Sequence, residues 1–139
     1  MPTYMNNLIK EGAVFCLKAN GIKNHYHVVA NVDAETGVFL LLGVITSHVE
    51  MRKEDANEAG ESPETIVDIT PEQCGCLTRA SAIDCNSPYV MKKDDLNMCI
   101  KQGTAVFKCF VSSEITSKIR NGVSLSRSAE MSAKGLTYY

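Results

Sequence analysis

The sequence predicts an α+β domain that is mainly β, a small and partly open barrel of five to seven antiparallel strands with helices toward the C-terminus. Three observations carry this expectation. Short, β-prone apolar runs separated by turn signals fill most of the chain up to residue 91. Segments with helix caps and a helical apolar stripe come only after residue 93. The chain has 139 residues, 45% apolar and 22% charged, enough for one core without metal or disulfide staples and too few for two domains. Residues 1–139 are therefore read as one domain, with the barrel at about 11–111, a C-terminal helix at about 112–123 and a tail at 124–139.

The elements follow in order. Gly12 to Leu17 is short, apolar and β-prone, with the Asn20-Gly21 turn signal after it, and is the first strand. His25 to Val32 mixes β-branched and aromatic residues, and Val38 to Thr46 is nearly all apolar, so both are strands. Asp33-Ala-Glu-Thr-Gly37 joins them as a hairpin loop in which Gly37 can take a positive φ. Glu50 to Glu64 is charged, holds Gly60 and Pro63, has little to bury and reads as a mobile loop. Thr65 to Ile69 is a fourth strand ended by Pro71. Ser81 to Cys85 is a fifth, whose direction Tyr89 to Met91 continues after Asn86-Ser-Pro88. Asp94 caps a helix that Gly103 closes, and Ala105 to Val111 is the last strand. Ser112 or Ser113 then caps a helix with Ile115, Ile119 and Val123 on one stripe, and the Ser-rich tail after it has no clear period.

Charge and hydropathy narrow the function classes. Fourteen basic against sixteen acidic side chains, net charge −2, argue against holding duplex nucleic acid by bulk positive charge, which leaves only a local basic patch. The longest apolar run, Val38 to Ile45, is strand-sized, far short of the ~20 residues that cross a bilayer. The first residues lack a basic segment leading into an apolar one, so a reducing cytoplasm is the expected location. The cysteines at 16, 74, 76, 85, 99 and 109 are accordingly expected as free thiols without metal. They include a Cys-x-Cys but no Cys-x-x-Cys, a weak pattern for zinc.

All three histidines lie at strand ends. If Asp33 pairs with Val38, paired residue numbers sum to 71, and His25 falls opposite Thr46 and His48 opposite Lys23. Lys23, His25, His27, Thr46 and His48 would then share one patch. Such a set suits acid–base work on a phosphodiester: a histidine moves protons, a lysine offsets phosphate charge and a hydroxyl orients the anion. The plainer alternative is that these are solvated strand-end side chains. Arg79 and Ser81, opening the fifth strand, could hold a phosphate. Cys85 or Cys76 with His48 could form a thiol nucleophile and its base, though no recognisable cysteine-enzyme motif surrounds them. Asp94 and Asp95 read as helix-end charge.

The order Gly12-Ala-Val-Phe, His25-Tyr-His-Val-Val-Ala-Asn, Val44-Ile-Thr-Ser-His48, Thr70-Pro, Arg79-Ala-Ser-Ala-Ile83 and Ile115-x-x-x-Ile-Arg-x-Gly-Val123 resembles the MazF/PemK-like toxin superfamily over about residues 11 to 126. It looks most like the divergent branch in which a His precedes the Val-Val strand. The resemblance implies an SH3-like barrel with a C-terminal helix, a homodimer and metal-independent cleavage of single-stranded RNA, with a cognate antitoxin as partner and no cofactor. Where the better-known branch has an Arg before the Val-Val strand, His25 stands here; the family's catalytic Thr corresponds to Thr46. On this reading His25, Thr46 and His48 are catalytic, and Lys23, His27, Ser47, Arg79 and Ser81 bind substrate. A non-catalytic barrel module that contacts a protein or nucleic acid is the second reading, and a cysteine-dependent enzyme the third. The homodimer expectation also rests on Tyr4, Met5, Leu8 and Ile9, apolar residues before the first strand that lack an evident partner within the chain.

Overall fold

Strand β3 (Phe39–Thr46) organises the molecule, because its backbone is paired along both edges. On one side lies β2 (His25–Val29), in the register His27↔Val44, Val28↔Gly43 and Val29↔Leu42. This is the register expected from the hairpin loop. The other edge is shared: β6 (Tyr89–Lys92) pairs with its first half and β5 (Ser81–Asp84) with its second. Both run antiparallel to β3, so β6 does continue the direction of β5. Beyond them β1 (Ala13–Leu17) pairs with β2 and with β7 (Ala105–Phe110), and β4 (Ile66–Ile69) pairs with β5. The computed structural model describes residues 8–18 and 25–137. Within them seven strands form one antiparallel sheet in the order β4-β5-β3-β2-β1-β7, with β6 also on β3. The sheet is open, with β4 and β7 at its ends. It is mainly strand with helices added, the α+β class that the pattern predicts.

Both faces of the sheet are covered. On one, Val14, Val28, Leu41, Ile45, Val67 and Ile83 pack against Ile115, Ile119 and Val123, the expected stripe of helix α3 (Ser113–Leu125). On the other, Phe15, Val29, Leu40 and Leu42 pack against Ile9 and against Leu96 of helix α2 (Lys93–Gln102). Strict alternation in β1 and β3 puts their side chains into both clusters, which explains why these strands read as continuous apolar runs. Arg120 ties α3 to the start of β1, donating to Glu11 Oε2 at 3.0 Å and to the Ala30 carbonyl at 2.9 Å. Among the described residues no helix is long and apolar enough to cross a membrane.

Several expectations need correction. Residues 50–64 are not a loop: Val49–Glu58 form helix α1, followed by a 3₁₀ turn at Pro63–Thr65. The segment is rich in strong helix formers (Glu, Met, Arg, Lys, Ala) and has no Gly or Pro before Gly60. It shows no apolar stripe because only Ala56 is buried. Arg52 and Lys53 instead reach Asp84 and Asp68 on the sheet, at 3.5 Å and 3.2 Å. Strand β2 stops at Val29, short of Val32, because the buried side chain of Asn31 replaces backbone pairing. Its Oδ1 accepts from the Leu41 amide at 2.9 Å, and its Nδ2 donates to the Phe39 carbonyl at 3.0 Å and to Asp33 Oδ1 at 2.8 Å. The first strand begins at Ala13, since Gly12 has φ +92° and lies where a Cβ would stand 2.6 Å from the Val111 carbonyl. Gly37 has no positive φ; the turn closes by Asp33 accepting from the Thr36 and Gly37 amides. Lys92, not Asp94, occupies the N-cap of α2, and Gly103 closes that helix at φ +78° as expected. The tail holds a short helix α4 (Met131–Lys134), whose Ala133 packs with Ala129 in the α3-side core. Ile9 is fully buried in its own chain with Leu8 beside it, so neither supports the dimer expectation; Tyr4 and Met5 lie outside the described residues.

Candidate functional site

Three backbone segments meet at the C-terminal end of β3. Continuing the β2–β3 register by two residues sets His25 beside Thr46. Continuing the β3–β5 register, in which Thr46 pairs with Ala82, by one residue sets Ser47 opposite Ser81. The β4–β5 connection therefore delivers Arg79 and Ser81 to the same place as the turn after β3. The result is a pocket of about 290 Å³ whose walls include His25, Thr46, Ser47, His48, Arg79 and Ser81. Six of the eight residues singled out from the sequence come together here.

The hydroxyls in this pocket are locally organised. Thr46 Oγ1 accepts the backbone N–H of His48 at 3.1 Å, which shapes the turn into α1 and leaves the threonine proton free to donate outward. Ser81 Oγ donates to the Arg79 carbonyl at 3.1 Å, holding the entry to β5. His25 and His48 are exposed, so both imidazoles are within reach of solvent and of a bound anion.

The two remaining residues differ. His27 does not line this pocket. It faces a neighbouring cavity of about 450 Å³ with Leu17, Val44, Tyr89 and Met91, edge-on to the Tyr89 ring at 6.3 Å between centroids. Burial lowers its pKa below the usual 6.5, opposed in part by the hydrogen bond from its Nδ1 to the His25 carbonyl at 3.1 Å. It is thus a half-buried imidazole set against Tyr89, apart from the pocket at the end of β3. His25 borders both cavities. Lys23 lies outside the described residues. Tyr26 and Thr78 also line the pocket and were missed; only their closeness in sequence to His25 and Arg79 could have signalled them, whereas Cys76, which lines it too, was a candidate thiol.

The cysteines are six free thiols. Cys85 is sealed beneath α3, and burial pushes its thiol up to about 12, which removes it as a nucleophile. Cys76 reaches the pocket, but burial raises its pKa too, and its sulfur neighbours are Cys74 at 3.4 Å and Cys109 at 3.5 Å rather than a histidine. Neither geometry supports a cysteine-dependent enzyme. No protein-family model matches this chain, and none of the curated proteins matches it.

Proposed function

We propose that the protein cleaves single-stranded RNA without using a metal in the reaction, as a diverged member of the MazF/PemK-like toxin superfamily. The observation that carries this reading is the convergence of two exposed imidazoles, three hydroxyls and one guanidinium in a single pocket at the end of β3. An antiparallel sheet backed by α3 is compatible with that superfamily's SH3-like barrel. Single-stranded RNA, a cognate antitoxin and a second copy of the chain are the partners the reading brings with it.

The chemistry follows from the side chains. Arg79 neutralises charge on the scissile phosphate, and the Thr46 and Ser47 hydroxyls donate to its non-bridging oxygens, while Ser81, whose proton goes to the Arg79 carbonyl, holds the Arg79 backbone in place. One of His25 and His48 removes the 2′-hydroxyl proton. The 2′-oxygen then bonds to phosphorus, the bond to the 5′-oxygen breaks, and the other imidazole protonates that leaving oxygen. A 2′,3′-cyclic phosphate remains.

The test is cleavage of labelled single-stranded RNA by the full chain without added divalent cation. Cyclic-phosphate ends and a bell-shaped pH profile are expected, and a 2′-deoxy nucleotide at the cut should abolish the reaction. His25→Ala and Thr46→Ala should each lower the rate about 10²-fold while the chain stays folded at the assay temperature. Equal activity in both variants would remove the pocket from the reaction. Absence of cleavage, with stable capture of an RNA or a protein that His25→Ala releases, would favour the binding-module reading.

A further inference from the structure

Behind the pocket wall lies a feature that cleavage does not use. Cys74 and Cys76 sit either side of Gly75 in the β4–β5 connection, and Cys109 comes from β7, far away in sequence and next to Val14 in the sheet. Their sulfurs form a nearly equilateral triangle with sides of 3.4, 3.5 and 3.6 Å. Among the described residues this is the one group of three or more His, Cys, Asp or Glu ligand atoms close enough to hold a single ion. We propose that Cys74, Cys76 and Cys109 bind one zinc ion, with a fourth coordination position left to water.

The triangle itself selects the geometry. Sides near 3.5 Å place each sulfur about 2.0 Å from the centre, so zinc–sulfur bonds of about 2.3 Å put the ion about 1.1 Å out of the sulfur plane. That is a pyramidal Cys₃ base with one position open. A flat three-coordinate ion with bonds of the same length would need sulfurs about 4.0 Å apart. Backbone hydrogen bonds already fold the connecting segment around the sulfurs. The Thr70 carbonyl accepts from the Gln73 and Cys74 amides, and the Cys74 carbonyl accepts from the Leu77 amide. Cys76 also lines the pocket, which gives the open position a route to water.

An ion here would staple the β4–β5 connection, which carries Arg79, to β7 across the otherwise unjoined ends of the sheet. It reverses the metal-free expectation drawn from the Cys-x-Cys spacing, because the third ligand is distant in sequence. It stands whether or not RNA is cut, since the ion has no part in the proton transfers.

The experiment is metal analysis of the full chain, purified without chelator from zinc-supplemented cells, followed by cobalt titration of the chain stripped of metal. About one zinc per chain is expected, and Cys109→Ser and Cys76→Ser should each reduce that at least about tenfold, whereas Cys99→Ser should leave it unchanged. Unsubstituted chain titrated with Co²⁺ should develop thiolate charge-transfer bands and the intense visible bands of a tetrahedral site, a readout that does not depend on the variants folding. Zinc should also raise the melting temperature of the stripped chain. A chain that purifies without zinc and gives no cobalt bands overturns the assignment. So does copper in place of zinc, since a flat Cu⁺ site would contradict the pyramid.

Discussion

The two halves of β3 are both paired within the sheet and have opposite fates. Around Leu40–Leu42 the strand is paired with β2 and β6, and alternate side chains enter the two cores, so all three leucines are at most 1% exposed. At Thr46 it is paired with Ala82 of β5, and the β2 register extends to set His25 on its other side, yet the space above stays open as the pocket. Backbone pairing therefore does not distinguish a core from a site. What the adjacent strands and helices place beside the ladder decides between them.

The sharpest way to break this contrast is to shorten one side chain at each end. Leu41→Ala should cost about 2–5 kcal/mol in urea unfolding, the lost transfer energy plus a cavity that two packed layers cannot close. Thr46→Ala should stay within about 1 kcal/mol, since it releases only one partly solvated hydrogen bond. Comparable losses at both ends would show that the pocket end bears the fold as well.

A smaller effect tests how closely α3 is seated. A Cβ on Gly122 would stand 2.6 Å from Cys85 Sγ and 2.9 Å from the Glu64 carbonyl, so Gly122→Ala should destabilise by about 1–3 kcal/mol. Adding Cys85→Ala should recover part of that loss, because the shortest of three close contacts disappears while those with the residue-85 Cβ and the Glu64 carbonyl, both at 2.9 Å, remain. Strict additivity in the double-mutant cycle would mean that the helix shifts instead.

The smallest expected effect is in pH. His27 has a folded pKa below its usual 6.5, so the unfolded chain takes up that proton first, and the stability it contributes above 6.5 is lost as pH falls through the folded value. Glu61 behaves likewise at lower pH. The Ser128 hydroxyl and the Arg127 amide hold its carboxylate below the usual 4.5, and its contribution is lost as pH falls through that lowered value. Urea midpoints measured from pH 8 to pH 3 should therefore decline in two steps. His27→Phe should flatten the upper step and spare the lower. A variant that retains the upper step would show that His27 is not the group responsible.

The hairpin register was legible because the short loop between Asp33 and Val38 admits few alignments, and from it His25 beside Thr46 follows directly. The α3 stripe and the Gly103 stop were legible for similar local reasons. Helix α1 was not, since it carries no apolar stripe and is seated by ion pairs to Asp68 and Asp84 and by a small contact of Ala56 and Val49 with Ile66 and Ala82. What only the tertiary structure decided is long-range. Arg79 and Ser81 reach the histidines through the β3–β5 pairing, His27 turns toward Tyr89 instead of the pocket, and Cys109 meets Cys74 and Cys76 from 35 and 33 residues away. Local patterns record which way a side chain faces on its own strand. Which strand lies alongside is set by how the whole sheet buries its two faces at once, and no single segment carries that information.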